Sequence, residues 1–278
     1  MAQWTPPGAD PVEHAALVPG IPAWSAKGIE QWTMRFLAVS GSFLNEKLVS
    51  DWDVAMRNDP PHRTDWGRGD GAKQYWAWLD EEEQIAFLDW LVYELSGAEG
   101  GWKALHELEA ILHAGGSEWK VGNRGGNSGL EKRVPQGVAD AVDAIIATSS
   151  TAGALLSEAW RAAFGRNPDP EEAYEKAIKA VEEAGAEVVL PNNPRATLGT
   201  MIATVRDQGE WLLPLESPSA RSAPLEMMRA LWEGQESRHG GNGYRKPTPA
   251  EAEAAVLLAV PLVQFFTARL LARQTEGS

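Results

Sequence analysis

Leu231-Trp-Glu-Gly-Gln-Glu-Ser-Arg-His-Gly-Gly-Asn-Gly-Tyr-Arg-Lys-Pro-Thr-Pro249 is the stretch on which the reading of the fold turns. It separates two helical patterns, one over 225–233 and an apolar, Ala-rich one running to about Arg273. Glycines at 234, 240, 241 and 243 keep either helix from crossing it, since a helix-interior Gly costs about 1 kcal/mol relative to Ala. Thr248-Pro-Ala-Glu251 then carries the Thr-x-x-Glu spacing of a capping box, with Pro at the first helical position. The segment therefore predicts helix, Gly-rich loop, helix. The loop gathers Arg238, His239, Asn242, Tyr244, Arg245 and Lys246. Nowhere else in this acidic chain, of net charge −14, do a His, an Asn, a Tyr and three cations stand so close together. These residue types suit phosphate chemistry. A guanidinium can grip a phosphate with two parallel hydrogen bonds, and an imidazole can move a proton near neutral pH.

Working outward, the same 3.6-residue periodicity recurs. Ile29, Trp32, Phe36, Val39 and Phe43 predict a helix over about 26–54. Residues 58–71 hold two Pro and three Gly and predict a loop. A second helix is expected over 72–95, broken at Gly100-Gly101, and a third over 102–113. Residues 116–134 are Gly-rich and locally basic, and predict a linker between domains. Beyond it come helices over 135–164 and 169–184, a short β-like run at 187–190, and helices over 197–208 and 225–233. Asp169 is placed to cap the second of these, with Pro170 first in the helix and Glu171 and Glu172 at its positive dipole end. Strand signals are nearly absent, so the class is all-α, organised as an extended arm (1–25), a Trp-rich helical domain (26–115), the linker (116–134) and a second helical domain (135–273).

Composition narrows the function. The chain has 278 residues, 44% of them hydrophobic, enough for two cores. The negative charge disfavours non-specific binding to nucleic acid or anionic membrane, while leaving room for a small basic pocket. The absence of cysteine removes disulfides, thiolate catalysis and Cys-based zinc, and fits a reducing cytoplasm. The N-terminus lacks the basic and apolar regions of a signal peptide. The apolar helix after Thr248 is interrupted by Glu251, Glu253, Pro261, Gln264 and Arg269, so a buried core helix is expected rather than a membrane span. Eight of the 13 Trp lie in the first 90 residues, where core packing with bonded indole N–H groups is the expectation.

The order Asp169-Pro-Glu-Glu-Ala-Tyr-Glu-Lys-Ala-Ile-Lys-Ala-Val-Glu182, Ala196-Thr-Leu-Gly199, the Arg-His-Gly loop and the apolar final helix resembles the C-terminal domain of bacterial abortive-infection proteins, a branch of the HEPN helical superfamily. The resemblance covers roughly 135–273. It implies a HEPN-like bundle and a metal-independent endoribonuclease with no cofactor. Two protomers would share one cleft, with RNA or a nucleotide as ligand and a phage-derived component as trigger. In that family an Arg, an adjacent polar residue and a His four to six residues on form the site. By that resemblance Arg238 is the phosphate clamp and His239 the proton-transfer group, with Asn242, Tyr244, Arg245 and Lys246 holding substrate. The chain departs from the pattern. If His239 is the family's His, the preceding Arg falls where Trp232, Glu233 and Gly234 stand. If Arg238-His239 is the Arg-plus-polar pair, Tyr244 stands near the His position. The alternative is a non-catalytic homodimeric interaction or scaffold module with a degenerate site, pairing through its final helix and Trp-rich half.

Other constellations read as structural. His106, Glu109 and His113 share one helical face but lack the second His of a zincin motif, where Ala110 stands. Lys120, Arg124, Lys132 and Arg133 could wrap a phosphate, yet no P-loop sequence accompanies them. Asp80-Glu-Glu-Glu83 suits a helix N-terminal turn, and Asp51-Trp-Asp53 lacks the further ligands of a calcium loop.

Overall fold

The structure, a computed structural model, describes residues 6–8, 10, 14, 16–66, 69–124, 127–134, 136–148, 151–209, 211–215, 217, 219–234 and 245–273. The chain is mostly helical and divides into two compact units, Met1–Arg133 and Val134–Ser278.

Unit one contains α1 (Ala26–Leu37), a short hairpin of β1 (Ala38–Val39) and β2 (Phe43–Leu44), α2 (Glu46–Met56), α3 (Gly71–Trp78), α4 (Glu81–Ser96), α5 (Gly101–Ala114), and a second hairpin of β3 (Trp119–Arg124) and β4 (Asn127–Lys132). The single helix expected over 26–54 is broken in two. Gly41 and Ser42 take positive φ (77° and 81°), turning the chain, and the Asn45 side chain accepts from Leu48 N to start α2. Val39 and Phe43, read as helix-face residues, are cross-strand partners and about half exposed. The helix expected over 72–95 also divides. Leu79 is extended, and Asp80 and Glu83 form a reciprocal capping box that starts α4.

The largest departure is the expected linker, most of which is the antiparallel β3–β4 hairpin. Its glycines serve close packing rather than looseness. Gly122 and Gly129 are cross-strand partners. A Cβ on Gly122 would lie 2.5 Å from the Glu131 carboxyl carbon, and one on Gly129 2.8 Å from Asp89 Oδ1. Two carboxylates from the helices bond the strand backbone, Asp89 accepting from Leu130 N (2.6 Å) and Glu109 from Val121 N (2.9 Å). A local sequence reading sees Gly and charge, and the partners that turn them into a hairpin are distant in sequence. Part of the N-terminal arm is also fastened: Trp24 Nε1 donates to Gly115 O (2.9 Å) and Gly20 N to Glu118 Oε1 (3.0 Å).

Unit two contains α6 (Gln136–Thr148), α7 (Thr151–Phe164), α8 (Pro170–Val189), α9 (Leu198–Gln208), β5 (Trp211–Leu212), α10 (Ser219–Glu233), α11 (Pro249–Thr267) and β6 (Ala272–Arg273), with β5 and β6 paired antiparallel. Helices α7, α8 and α11 form its centre. Small buried residues face one another there: Ala159 and Ala163 on α7, Ala173, Ala177 and Ala180 on α8, Ala252, Ala255 and Ala259 on α11. Their size lets the helix axes approach closely. Helix α8 runs past Gly185, the expected terminator, and takes up the β-like segment as far as Val189. A Cβ on Gly185 would lie 2.2 Å from Met201 Cε and 3.0 Å from Phe266 Cε2, so this glycine serves a close approach of α9 and α11. The helix expected over 135–164 is two helices, and the final helix stops at Thr267 rather than Arg273, where Arg269 turns left-handed (φ 53°) and the chain enters β6. By length and composition α11 is apolar enough to cross a membrane, but Val256, Val260, Leu262, Val263 and Phe266 are buried in the unit's core. It is a core helix, each such side chain contributing roughly 1.5–3 kcal/mol by leaving water.

Candidate functional site at the base of the 235–244 loop

Two helix starts and one helix end meet at this site. Helix α8 begins at Asp169, whose Oδ1 accepts from Glu171 N and Glu172 N, both at 3.0 Å. Helix α11 begins at Thr248, whose hydroxyl accepts from Glu251 N while Glu251 Oε2 accepts from Thr248 N (2.7 Å). Helix α10 ends at Glu233, and Gly234 follows it.

The described residues stop at Gly234 and resume at Arg245, and Gly234 and Lys246 lie against the start of α8. A Cβ on Gly234 would sit 2.2 Å from the Tyr174 hydroxyl, so this junction admits glycine. Burial raises the Tyr174 hydroxyl pKa above its ordinary value, and the Glu251 charge adds to the shift. On the return side, Lys246 Nζ pairs with Glu171 Oε2 at 2.7 Å, three residues from Tyr174 on α8. That contact raises the Lys246 pKa. Arg245 grips Glu251 with two parallel bonds, Nη1 to Oε2 at 2.8 Å and Nη2 to Oε1 at 2.7 Å. The Arg245 bonds, then those from Thr248, hold the Glu251 carboxyl down to about 2.

Of the sequence-derived site residues, Arg238, His239, Asn242 and Tyr244 lie outside the described residues. Arg245 and Lys246 are placed, and both are joined to carboxylates of helix first turns. Both were expected to hold substrate, and both side chains are exposed as well as paired. The sequence already contained the signal, because Glu251 was legible as the capping-box acid, and a cation six residues ahead of it can reach back to it.

Unit one holds a cluster that the sequence reading missed. His62 Nδ1 lies 2.6 Å from Asp53 Oδ1, and the His62 backbone N–H donates to Asp53 Oδ2 (2.9 Å). Asn58 Nδ2 donates to Asp53 Oδ1 (2.9 Å). The imidazole stacks on Trp52, with ring centroids 4.7 Å apart and planes at 16°, and Trp78 and Tyr75 meet it edge-on. The Tyr75 hydroxyl is 3.2 Å from His62 Nδ1, and burial, then the charges of Asp53 and Glu83, push its pKa far up. His62 Nε2 faces Glu83 Oε1 at 3.9 Å, with no hydroxyl hydrogen-bonded to it among the described residues. The cluster closes the 57–66 loop onto α2. Asp53 stood in the sequence as a weak calcium candidate, and nothing local pointed to a His nine residues on as its partner.

Several residues of the other constellations have partners in unit one. Glu109 pairs with Arg133 (2.9 Å) besides capping Val121 N, and Lys120 pairs with Glu131 (2.9 Å). Among the described residues no group of three His, Cys, Asp or Glu could hold a metal.

No protein-family model, curated protein or solved structure matches the chain.

Proposed function

We propose that the chain is a bacterial cytoplasmic defence protein of the abortive-infection type, with a HEPN-like second unit that acts on RNA through residues 238–244. One observation carries the reading: Gly234 and Lys246, on either side of residues 235–244 in sequence, both lie against the first turns of α8, at Tyr174 and Glu171. The described flanks of the stretch that carries Arg238 and His239 in sequence therefore lie close to one another. In this reading His239 removes the proton of a ribose 2′-OH. The freed 2′-oxygen then attacks the adjacent phosphorus, giving a 2′,3′-cyclic phosphate as the P–O5′ bond breaks and the 5′-oxygen takes up a proton. Arg238 binds the non-bridging oxygens as charge builds on them. Asn242 and Tyr244 contact substrate, whereas Arg245 and Lys246 position the loop. The site would act as a pair in a homodimer.

The test is cleavage of total RNA and of tRNA in EDTA by wild type and His239→Ala. Cleavage by wild type, at least 100-fold slower in His239→Ala with the melting temperature kept, supports the reading. Equal cleavage by the variant overturns the role of His239.

A second reading, a non-catalytic interaction module, has its own observation. Contacts of Ser25 with Gly115, Gly28 with Ile111 and Trp32 with Ala104 make α1 and α5 antiparallel, so Trp102 lies at the end where α1 passes into β1. Trp102 is 74% exposed, and Val39 and Phe43 on that hairpin are about half exposed. A dimer of this kind would form through that end of unit one and the outward face of the final helix.

A further inference from the structure

Helices α8 and α11 pack against each other at the centre of unit two, yet their solvent sides differ in kind. The exposed positions of α8 are Glu172, Glu175, Lys179, Glu183 and Glu187, all charged. Past Glu251, the exposed positions of α11 are Ala254, Leu257, Gln264 and Thr267, none charged. Helix α11 is apolar enough over an 18-residue window to cross a membrane, but only 44% of that window is buried. A helix apolar on every side is ordinarily covered on every side.

Two features indicate what covers it. Ala250, Ala254, Leu257, Pro261, Gln264 and Ala268 follow one another along the outward side at alternating steps of four and three residues, the repeat of a seam between two helices. The charges that flank this seam are opposite in sign at its two ends. Glu253, half-buried, stands eight residues before Pro261, and Arg269, exposed, stands eight residues after it. A twofold axis at Pro261 therefore sets Glu253 of each chain opposite Arg269 of the other, whereas a parallel pair would set Glu253 against Glu253. The seam is complementary to itself in the antiparallel orientation, as a twofold interface requires.

We propose that the outward face of α11 binds α11 of a second copy of this chain, antiparallel about Pro261. The inference deepens the interaction reading above by naming what covers the final helix, and it holds whether or not the chain cleaves RNA. In this arrangement Leu257 lies against the partner's Phe265. Pro261 has no N–H to offer the Leu257 carbonyl within its own helix, and the partner's Gln264 brings an amide donor to that carbonyl. A single helix pair is a small interface, so the association is weak, with a dissociation constant roughly in the micromolar range.

Sedimentation equilibrium of the full chain, at concentrations up to about 100 μM, tests it. The wild type should dimerise, and Leu257→Glu should weaken the dimer at least tenfold while the melting temperature holds. Glu253→Arg and Arg269→Glu should each weaken it, and the chain carrying both should regain the wild-type affinity, because both pairs are then reversed rather than broken. A monomeric wild type, an unchanged dimer in Leu257→Glu, or no recovery in the doubly reversed chain would overturn the proposal. A dimer lost in Trp102→Ala but kept in Leu257→Glu would overturn it while leaving the interaction reading to unit one. Binding of phosphatidylcholine vesicles by a chain that stays monomeric, lost in Leu257→Glu, would overturn it in favour of a lipid surface. RNA cleavage is read separately on the same chains, and its absence in a dimeric wild type counts against the RNA reading alone.

Discussion

Unit one packs rings around a polar knot, while unit two packs alanines at a close-packed helical centre. In unit one Trp52, Tyr75 and Phe87 are fully buried, and the Asp53–His62 pair sits among the aromatic side chains. In unit two the alanines of α7, α8 and α11 are at or near zero exposure, and the placed cations of the candidate site, Arg245 and Lys246, lie at the ends of helices. The contrast teaches where each unit tolerates change. A polar knot fails by losing a partner, because the remaining donors cannot reach water. A close-packed helical centre fails by gaining volume.

The largest expected effect is therefore on the knot. Asp53→Ala would strand three donors, from Asn58, the His62 ring and the His62 backbone, and should destabilise unit one by about 4 kcal/mol. Hydrogen exchange reads the two units separately, and loss of protection in α1–α5 greater than in α7–α11 is the expected pattern. Equal protection with wild type would remove the knot from the account of unit one. The converse is Ala177→Leu, at a position with no exposure on α8, which should cost unit two about 2 kcal/mol by overpacking. If α7–α11 keep their protection in that variant, the close packing described for them is wrong.

Smaller changes sharpen the comparison at the loop base. Thr248→Ala removes the cap of α11 and should cost about 1 kcal/mol, measurable as a shift in the urea midpoint of unit two. Glu251 bears on pH. Its carboxyl is depressed from an ordinary 4.5 to about 2 in the folded chain, chiefly by Arg245. Its contribution is then fully present above the ordinary value and is lost as pH falls through the window from 4.5 to about 2. Glu251→Gln should flatten that part of the stability profile of unit two, and an unchanged slope would contradict the Arg245–Glu251 clamp.

The sequence was legible where structure is local. The mostly helical class, the caps at Asp169 and Thr248, and Asp80 at a helix start all follow from residues within a turn of one another. Apolar periodicity could not see the breaks at 38–45 and 79–80, because the apolar spacing runs on across both. The β3–β4 hairpin was hidden for another reason. Asp89 and Glu109, which bond its edges, come from α4 and α5, and Gly122 and Gly129 read alone as looseness. Likewise Gly185 looked like a stop and is a contact point for Met201 and Phe266. Of the buried indoles, Trp32 follows the rule that buried N–H groups find acceptors, while Trp52 and Trp119 find none among the described residues. At the candidate site the chemistry-bearing types were legible, as was Glu251 as a capping acid within reach of Arg245, but the Lys246–Glu171 pair, which spans 75 residues, was not.

The most direct test of the proposed RNA-acting loop replaces residues 235–244 as a block with a ten-residue Gly-Ser sequence, leaving Gly234, Arg245 and Lys246 in place. RNA cleavage in EDTA and hydrogen exchange are then read on the same preparation. The account predicts that the wild type cleaves, that the replacement cleaves at least 100-fold more slowly, and that α8 and α11 keep their protection. Cleavage by the replaced chain at the wild-type rate, or no RNA cleavage by the wild type, would contradict it.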